Sequence, residues 1–150
     1  MIYIRVFQKE DASQVAKLIK QLTKNIVNPD DLVSRLENMA KPPASTPKRG
    51  EKNYQYFVAE EDSQILGFAG LAWYDIPSKG LISWVEEVVV DEKARGKGVG
   101  KALMNKVLEL ADEKGCSQVK LTTGNPAAKG LYEKLGFIKK EENCFVKKNY

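Results

Sequence analysis

The segment 84–111 constrains the fold of this 150-residue chain more than any other part of its sequence. A valine-rich run ends at Val90, a loop with glycine at every second position follows, and apolar residues then recur at helical spacing. Glycines let backbone N–H groups approach an anion closely, and the start of the next helix adds its positive dipole end. The segment therefore predicts a phosphate or pyrophosphate site between a strand and a helix; the alternative is a flexible turn. The loop residues are Arg95, Gly96, Lys97, Gly98 and Gly100.

Two common nucleotide-binding motifs do not fit this loop. A P-loop requires glycine at position 95 and serine or threonine at position 102, where this chain has Arg95 and Ala102. The dinucleotide fingerprint requires a third glycine at a position that Lys101 or Leu103 occupies here, depending on which pair of glycines is aligned. We therefore expect a phosphate-containing ligand that is held by neither motif.

The first third of the chain predicts one strand followed by two helices. Residues Ile2–Phe7 alternate as in a strand. Asp11, with Gln14 three residues later, predicts the N-cap of the first helix, and an Asn-Pro pair at 28–29 starts the second. The proline-rich stretch 41–50 is expected to be either a functional lid or a disordered loop. The predicted buried stripes are Val15, Leu18, Ile19 and Leu22 in the first helix and Leu32, Val33, Leu36 and Met39 in the second.

The rest of the chain completes a mixed α/β pattern. A helix that ends at Lys114 follows the glycine loop, and a last helix runs from Asn125 to Leu135. We expect a single domain over residues 1–150, with helices packed on the faces of one sheet. The further predicted strands are Tyr54–Glu60, Gln64–Trp73, Leu81–Val90, Val119–Thr122, Phe137–Ile138 and Cys144–Lys147.

Composition excludes several classes of function. The chain has no histidine, which rules out a histidine-based triad and most zinc sites, and its two cysteines lack metal-site spacing, so no metal is expected. No apolar run approaches the ~20 residues that span a bilayer, and the charged N-terminal residues do not fit a signal peptide. A net charge of +4 is too small and too scattered to indicate nucleic acid. We expect a cytoplasmic domain without membrane or nucleic-acid partners.

Two adjacent carboxylates interrupt the apolar strand that precedes the loop. Successive side chains on a strand point to opposite faces, so at least one of Glu86 and Glu87 is expected to face the sheet interior or a cleft. Burial would raise the pKa of that carboxylate towards the range of a useful general base. The alternative is a structural salt bridge to an arginine or lysine. The sequence leaves open which of the two residues would act.

Two motifs in this chain resemble those of the GNAT superfamily of N-acetyltransferases. The first is the loop Arg95-x-x-Gly98-x-Gly100 after the valine-rich strand, and the second is the helix segment 125–137, NPAAKGLYEKLGF. The resemblance covers the chain from about residue 64 to its end. It implies a central mixed, mostly antiparallel sheet flanked by about four helices. It also implies acetyl-coenzyme A (acetyl-CoA) as cosubstrate and transfer of its acetyl group to a primary amine by direct attack.

The GNAT resemblance also implies roles for individual residues. The loop amides hold the pyrophosphate, and the pantetheine arm pairs like an extra strand with the preceding strand. Tyr132 would protonate the departing thiolate, unless it is only an aromatic core residue beside Leu131 and Phe137. Catalytic roles fall to Glu86, Glu87 and Tyr132. The cofactor-binding residues implied are Val88, Val89, Val90, Arg95, Gly96, Lys97, Gly98, Val99, Gly100, Lys101 and Asn125.

The acceptor amine is less constrained than the acetyl donor. The run 84–90, the early residues 21–23 and the segment 141–143 look like those of glucosamine-6-phosphate N-acetyltransferases, which implies an amino-sugar phosphate acceptor and a homodimer. Diamine acetyltransferases also carry paired acids on this strand, and peptide N-termini stay open as acceptors. A module that senses acetyl-CoA without turnover is the non-enzymatic alternative, although it would not need Glu86, Glu87 and Tyr132 around a thioester.

Overall fold

A computed structural model describes residues 1–39 and 53–149, and the elements it forms there follow the order predicted for a mixed α/β fold. Five strands lie in sequence order across one sheet. Every neighbouring pair is antiparallel except the last, which is parallel, so the expected mostly antiparallel mixed sheet with four helices is confirmed. The strands are β1 (Tyr3–Val6), β2 (Tyr54–Glu61), β3 (Gln64–Ile76), β4 (Gly80–Val90) and β5 (Val119–Lys120).

Helices cover both faces of the sheet. The helices are α1 (Ala12–Leu22), α2 (Pro29–Met39), α3 (Val99–Lys114) and α4 (Lys129–Lys134), with short 3₁₀ turns at Lys9–Asp11, Glu92–Ala94 and Pro126–Ala128. The apolar stripes of α3 and of α1 bury different sets of sheet residues, which defines an α3 face and an α1 face. None of the helices in the described part of the chain is long and apolar enough to cross a membrane.

Gly67 allows α3 to pack directly on the sheet. A Cβ atom at this position would lie 2.7 Å from a methyl carbon of Leu103 and 2.9 Å from one of Val99. Both side chains are almost fully buried, at 0% and 1% exposure. The start of α3, and with it the glycine loop, is therefore held close to β3 and β4 by a position that has no room for a side chain.

A β-bulge in β4 changes which residues face which helix. Phe68 pairs with Val89 and Gly70 pairs with Glu86, so two residues of β4 lie opposite one residue of β3. Glu87 has a left-handed backbone with φ of 54° at this point. Strict alternation would direct Val89 to the α3 face, but with the bulge it packs in the α1-face core instead.

The prediction that the side chain of Asp11 caps α1 is wrong. Asp11 does precede the helix, but its carboxylate makes no cap hydrogen bond to α1. It accepts hydrogen bonds from both terminal nitrogens of Arg5 at 2.7 and 2.8 Å, and one from the N–H of Gln8 at 2.8 Å. Gln14 instead accepts a hydrogen bond from the N–H of Ile65. Asp11 is buried, so a bidentate cation is the stronger partner.

The predicted terminal strands are absent from the described structure, and β5 is shorter than predicted. Residues 137–149 belong to no strand, and the pairing of β5 with β4 stops after Lys120. A strand needs a neighbour to satisfy its backbone, and none of the five described strands pairs with this tail. The predicted stripe of α1 also ends early, because Leu22 is 47% exposed. Loop 41–50 and the side chain of Met39 lie outside the described residues.

Candidate active site

The glycine loop forms an open cradle at the start of α3. Gly96 and Gly98 have φ of 80° and 83°, and no atom lies within 4 Å of the place where either would carry a Cβ. This left-handed conformation favours glycine over every other residue. Gly98 is the N-cap of α3, and the first helical hydrogen bond runs from the N–H of Ala102 to its carbonyl at 3.0 Å.

The backbone donors of this cradle have no partner within the helix. Because bonding begins at residue 102, the N–H groups of Val99, Gly100 and Lys101 are left free by helix geometry. The side chains of Arg95 and Lys97 are exposed beside them. The arrangement combines unpaired donors, the positive end of a 16-residue helix and two cations, which suits an anion such as a pyrophosphate.

The strands β4 and β5 part beside the cradle. Their parallel pairing registers only Ser83 with Val119 and Trp84 with Lys120. Beyond Trp84 the β5-facing edge of β4, which includes residues 88–90, has no strand partner in the described part of the chain. Such an edge can pair with the amides of an extended ligand. The sequence-predicted pantetheine residues Val88, Val89 and Val90 all lie on this stretch.

Helix α4 packs against the junction of β4 and α3. A Cβ at Gly100 would lie 3.4 Å from Leu131 and 3.5 Å from Val90, so these three residues are in contact range. The next residue, Tyr132, has a buried ring that packs edge-on against Phe137, with ring centroids 5.9 Å apart. Burial raises the pKa of the Tyr132 phenol, which therefore stays protonated at neutral pH. Both readings of Tyr132, a core ring and a proton donor, are compatible with this position.

Asn125 has a local structural role. Its side-chain oxygen accepts a hydrogen bond from the N–H of Ala127 at 3.0 Å and caps the 3₁₀ turn Pro126–Ala128. The residue is exposed, and its amide NH₂ group has no hydrogen-bond partner in the described residues. Those two donors are what Asn125 could offer a ligand.

The two carboxylates of β4 both contact solvent. Glu86 lies opposite Gly70 and on the α1 face, whereas Glu87 occupies the bulge. Neither forms a salt bridge within residues 1–39 and 53–149. Partial burial, and then the charge of Glu87, raise the pKa of Glu86. A carboxylate without a cation partner and with a raised pKa is suited to accept a proton.

Tyr56 lies on the same face as Glu86, opposite Gly70, and the sequence reasoning did not single it out. Its ring stacks on Phe68 with centroids 5.0 Å apart, and it fills the space above Gly70, where a Cβ would lie 2.4 Å from the ring. Burial, and then the charges of Glu86 and Glu87, raise the pKa of Tyr56, so its hydroxyl remains a donor. The alternation of Tyr54 and Tyr56 in β2 was the available signal, but it did not reveal that Gly70 lies opposite.

A cavity of about 500 Å³ opens beside Tyr56. It lies between α2 and the sheet, on the same face as Glu86. Its apolar wall comes from Phe7, Val33, Leu36, Tyr54 and Tyr56. No residue of β4 lines it, and Tyr56 is the lining residue that lies nearest to the carboxylates in the sheet, opposite Gly70. No group of three or more potential metal ligands occurs in residues 1–39 and 53–149.

The comparisons with known proteins match most of the chain. The sequence model described as the acetyltransferase (GNAT) family matches residues 23–137. A protein named glucosamine 6-phosphate N-acetyltransferase from Trypanosoma brucei brucei is 31% identical over 89% of this chain and 87% of its own length. The crystal structure of glucosamine-6-phosphate N-acetyltransferase from Arabidopsis thaliana superposes with a TM-score of 0.84 at 22% identity, covering 99% of each chain.

Other relatives share only part of their length with this chain. An uncharacterized N-acetyltransferase from Methanocaldococcus jannaschii is 36% identical over 63% of this chain but 42% of its own length. The chain spans about two fifths of the length of the first curated relatives that it matches.

Proposed function

The chain belongs to the GNAT acetyltransferase family, and we propose that it transfers the acetyl group of acetyl-CoA to a primary amine by direct attack. The observation that carries this proposal is the open glycine cradle at the start of α3, beside the strand edge that β4 exposes where it parts from β5. An anionic, extended thioester ligand fits both features, since one offers anion donors and the other offers a free backbone edge.

The cradle and the strand edge together hold the acetyl donor. The N–H groups of Gly96 and of residues 98–101 bind its pyrophosphate, and the side-chain charges of Arg95 and Lys97 add to the attraction; the N–H of Lys97 already donates to the carbonyl of Ala94. The backbone of residues 88–90 pairs with the amides of its pantetheine arm. Asn125 donates its free amide hydrogens to the same arm. The donor supplies an acetyl thioester, and the remaining chemistry belongs to groups of this chain.

Glu86 acts as the base that prepares the amine. An amine reaches the site as an ammonium and must lose a proton before its lone pair can attack the thioester carbonyl. The carboxylate of Glu86 takes that proton directly or through one water, and the charge of Glu87 keeps its pKa raised. The nitrogen–carbon bond then forms while the N–H of Val88 or Val89 stabilises the carbonyl oxygen. As the carbon–sulfur bond breaks, Tyr132 donates its proton to the thiolate. The nitrogen loses its second proton to water as the amide forms, and Tyr132 regains a proton from the solvent.

An amino-sugar phosphate such as glucosamine-6-phosphate is the acceptor we propose. Support comes from the Trypanosoma brucei brucei relative named glucosamine 6-phosphate N-acetyltransferase, which matches 89% of this chain. The structural likeness to the Arabidopsis thaliana protein also supports it. Free-thiol release from acetyl-CoA, measured with glucosamine-6-phosphate, spermidine and a peptide panel, tests the assignment. Release with the sugar phosphate alone is expected. Release with only a polyamine or a peptide would overturn the acceptor class, and binding of acetyl-CoA without any release would favour a sensor module.

Tyr132→Phe is expected to lower kcat by roughly 10- to 100-fold, because it removes one proton donor from the transition state. The KM for acetyl-CoA and the midpoint of urea unfolding are expected to stay close to those of the parent, since phenylalanine keeps the edge-on contact with Phe137. Steady-state kinetics and urea denaturation check both parts. Tyr3→Phe, at a residue that is 61% exposed and far from the site, is the matched control. Unchanged kcat in Tyr132→Phe would leave Tyr132 as a core residue only.

The tail 137–149 favours a homodimer. It exposes apolar side chains that a monomer leaves in water: Ile138, Phe145 and Val146 are 89%, 90% and 76% exposed. The tail begins next to α4, and a second copy could bury it as an added strand. Sedimentation velocity of the parent is expected to give a dimer, and the double substitution Phe145→Ser and Val146→Ser is expected to give a monomer. A monomeric parent at micromolar concentration would contradict the proposal.

A further inference from the structure

A lysine held by a tryptophan lies next to the carboxylates of β4. Trp84 and Glu86 share the α1 face, because they are two residues apart on the regular part of the strand. Lys120 pairs with Trp84 in the sheet, and its ammonium lies 5.5 Å from the centroid of the indole ring. The indole N–H in turn donates to the hydroxyl of Tyr74 at 3.1 Å. The hydrogen bond to Tyr74 therefore orients the indole ring of Trp84, and the face of that ring holds the ammonium of Lys120.

The ammonium of Lys120 has no carboxylate partner within residues 1–39 and 53–149. Elsewhere in the same range, Lys106 and Lys129 pair with glutamates one helical turn away. A cation that is oriented by an aromatic ring but not neutralised by an acid is suited to receive an anion. Its half-buried position strengthens such a contact relative to one at a fully exposed lysine.

The spacing from Glu86 to Lys120 matches a small bifunctional acceptor. Glu86 and Lys120 are separated by two residues along the strand and one strand across the sheet, which places their Cα atoms about 8 Å apart. If the amino group of a sugar-sized acceptor lies at Glu86, a substituent on the opposite side of its ring would therefore lie at Lys120. The same positive charge disfavours an acceptor whose distal group is a second ammonium.

We propose that Lys120, oriented by Trp84 and Tyr74, is the specificity-determining residue that binds an anionic substituent of the acceptor amine. This assignment rests on the proposed acetyl transfer at Glu86 and narrows its acceptor to amines that carry a phosphate or carboxylate. It assigns no chemical step to Lys120, which contacts only the part of the acceptor distant from the reacting nitrogen.

Steady-state kinetics and calorimetric titration with glucosamine-6-phosphate and with glucosamine test this role. Lys120→Met is expected to raise the KM and the Kd for the phosphorylated amine by roughly tenfold or more, with kcat changed less than twofold. Both constants for glucosamine are expected to stay unchanged. Lys120→Arg is expected to keep the preference for phosphate, because guanidinium also stacks on indole and binds phosphate.

Lys114→Met is the matched control. Lys114 makes the same kind of contact, with its ammonium 5.2 Å from the ring centroid of Trp73, but at the end of α3 away from the site. Lys114→Met is expected to leave the KM and the Kd for both amines unchanged. Equal affinities of the parent for the two amines, or an unchanged Kd in Lys120→Met, would overturn the role of Lys120. Calorimetry tests the role of Lys120 in binding separately from the proposed acetyl transfer. Binding that depends on Lys120 but releases no thiol would contradict the assignment as an enzyme and would still support the anion site.

Discussion

Gly98→Asp is expected to raise the KM for acetyl-CoA roughly a hundredfold, by placing a negative charge in the cradle that holds the pyrophosphate. Only a small loss of stability is expected with it. A φ of 83° at Gly98 strains any residue other than glycine, but aspartate tolerates it better than most, and a negative charge is favourable at the N-terminus of α3. The loss of activity would therefore be much larger than the loss of stability. Steady-state kinetics in acetyl-CoA and urea denaturation measure the two quantities separately.

Two matched variants separate charge from backbone strain. Gly98→Asn has the same shape and conformational tolerance but no charge, and only a small rise in KM is expected from it. Gly115→Asp places the same residue at the other end of α3, where φ is 73° and no atom lies within 4 Å of the Cβ position. That variant is expected to lose stability, because a negative charge at a helix C-terminus is unfavourable, and to keep its KM. If all three variants had the same KM, the cradle would not be the pyrophosphate site.

Glu86→Gln is expected to lower kcat by about 10²- to 10⁴-fold, the range that a general base contributes. Glutamine keeps the size of the side chain and its place opposite Gly70, so the fold and the KM for acetyl-CoA are expected to be unchanged. Glu87→Gln is the neighbouring control, with a smaller expected loss because Glu87 acts on the pKa of Glu86 rather than on the amine. A larger loss in Glu87→Gln than in Glu86→Gln would exchange the two roles.

The pH dependence gives this pair of variants a second readout. Glu86 must be ionised to accept a proton, so kcat/KM is expected to fall as the pH drops through its raised pKa. The charge of Glu87 contributes to that raised value, so Glu87→Gln is expected to lower the pKa of Glu86 and to move the acid limb to lower pH. The limb is expected to disappear in Glu86→Gln. An acid limb at the same pH in all three proteins would show that it belongs to the substrate or to another group.

Local patterns were enough for the elements on which the site is built. The alternating glycines before an apolar helical stripe predicted the cradle and α3, because a left-handed N-cap requires a residue without a side chain. The strand β4 was predicted to within one residue of its start, since its apolar run has few other interpretations. Asn125 followed by proline predicted the start of a helix, and the structure forms a 3₁₀ turn there before α4 begins at Lys129.

Contacts between elements account for the features that the sequence left open or that were predicted wrongly. Asp11 is bonded to Arg5 of β1 and not to α1, because a bidentate cation is the stronger partner for a buried carboxylate. The predicted terminal strands have no partner strand among residues 1–39 and 53–149, and alternation in the sequence cannot supply one. Tyr56 lies on the face of Glu86 because β2 and β3 place it over Gly70, and no local pattern encodes that register.

By itself the sequence determined the glycine cradle, the order of the elements and the presence of two acids on one strand, because backbone conformation and helical or strand periodicity are local properties. The tertiary structure alone decided how those acids divide. Glu86 keeps the regular alternation that places it on the face of Tyr56 and Trp84, whereas the bulge opposite Ala69 takes Glu87 out of that alternation and gives it a left-handed backbone. Which face a side chain takes depends on the hydrogen-bond register with the next strand, and that register is set by the packing of the whole sheet.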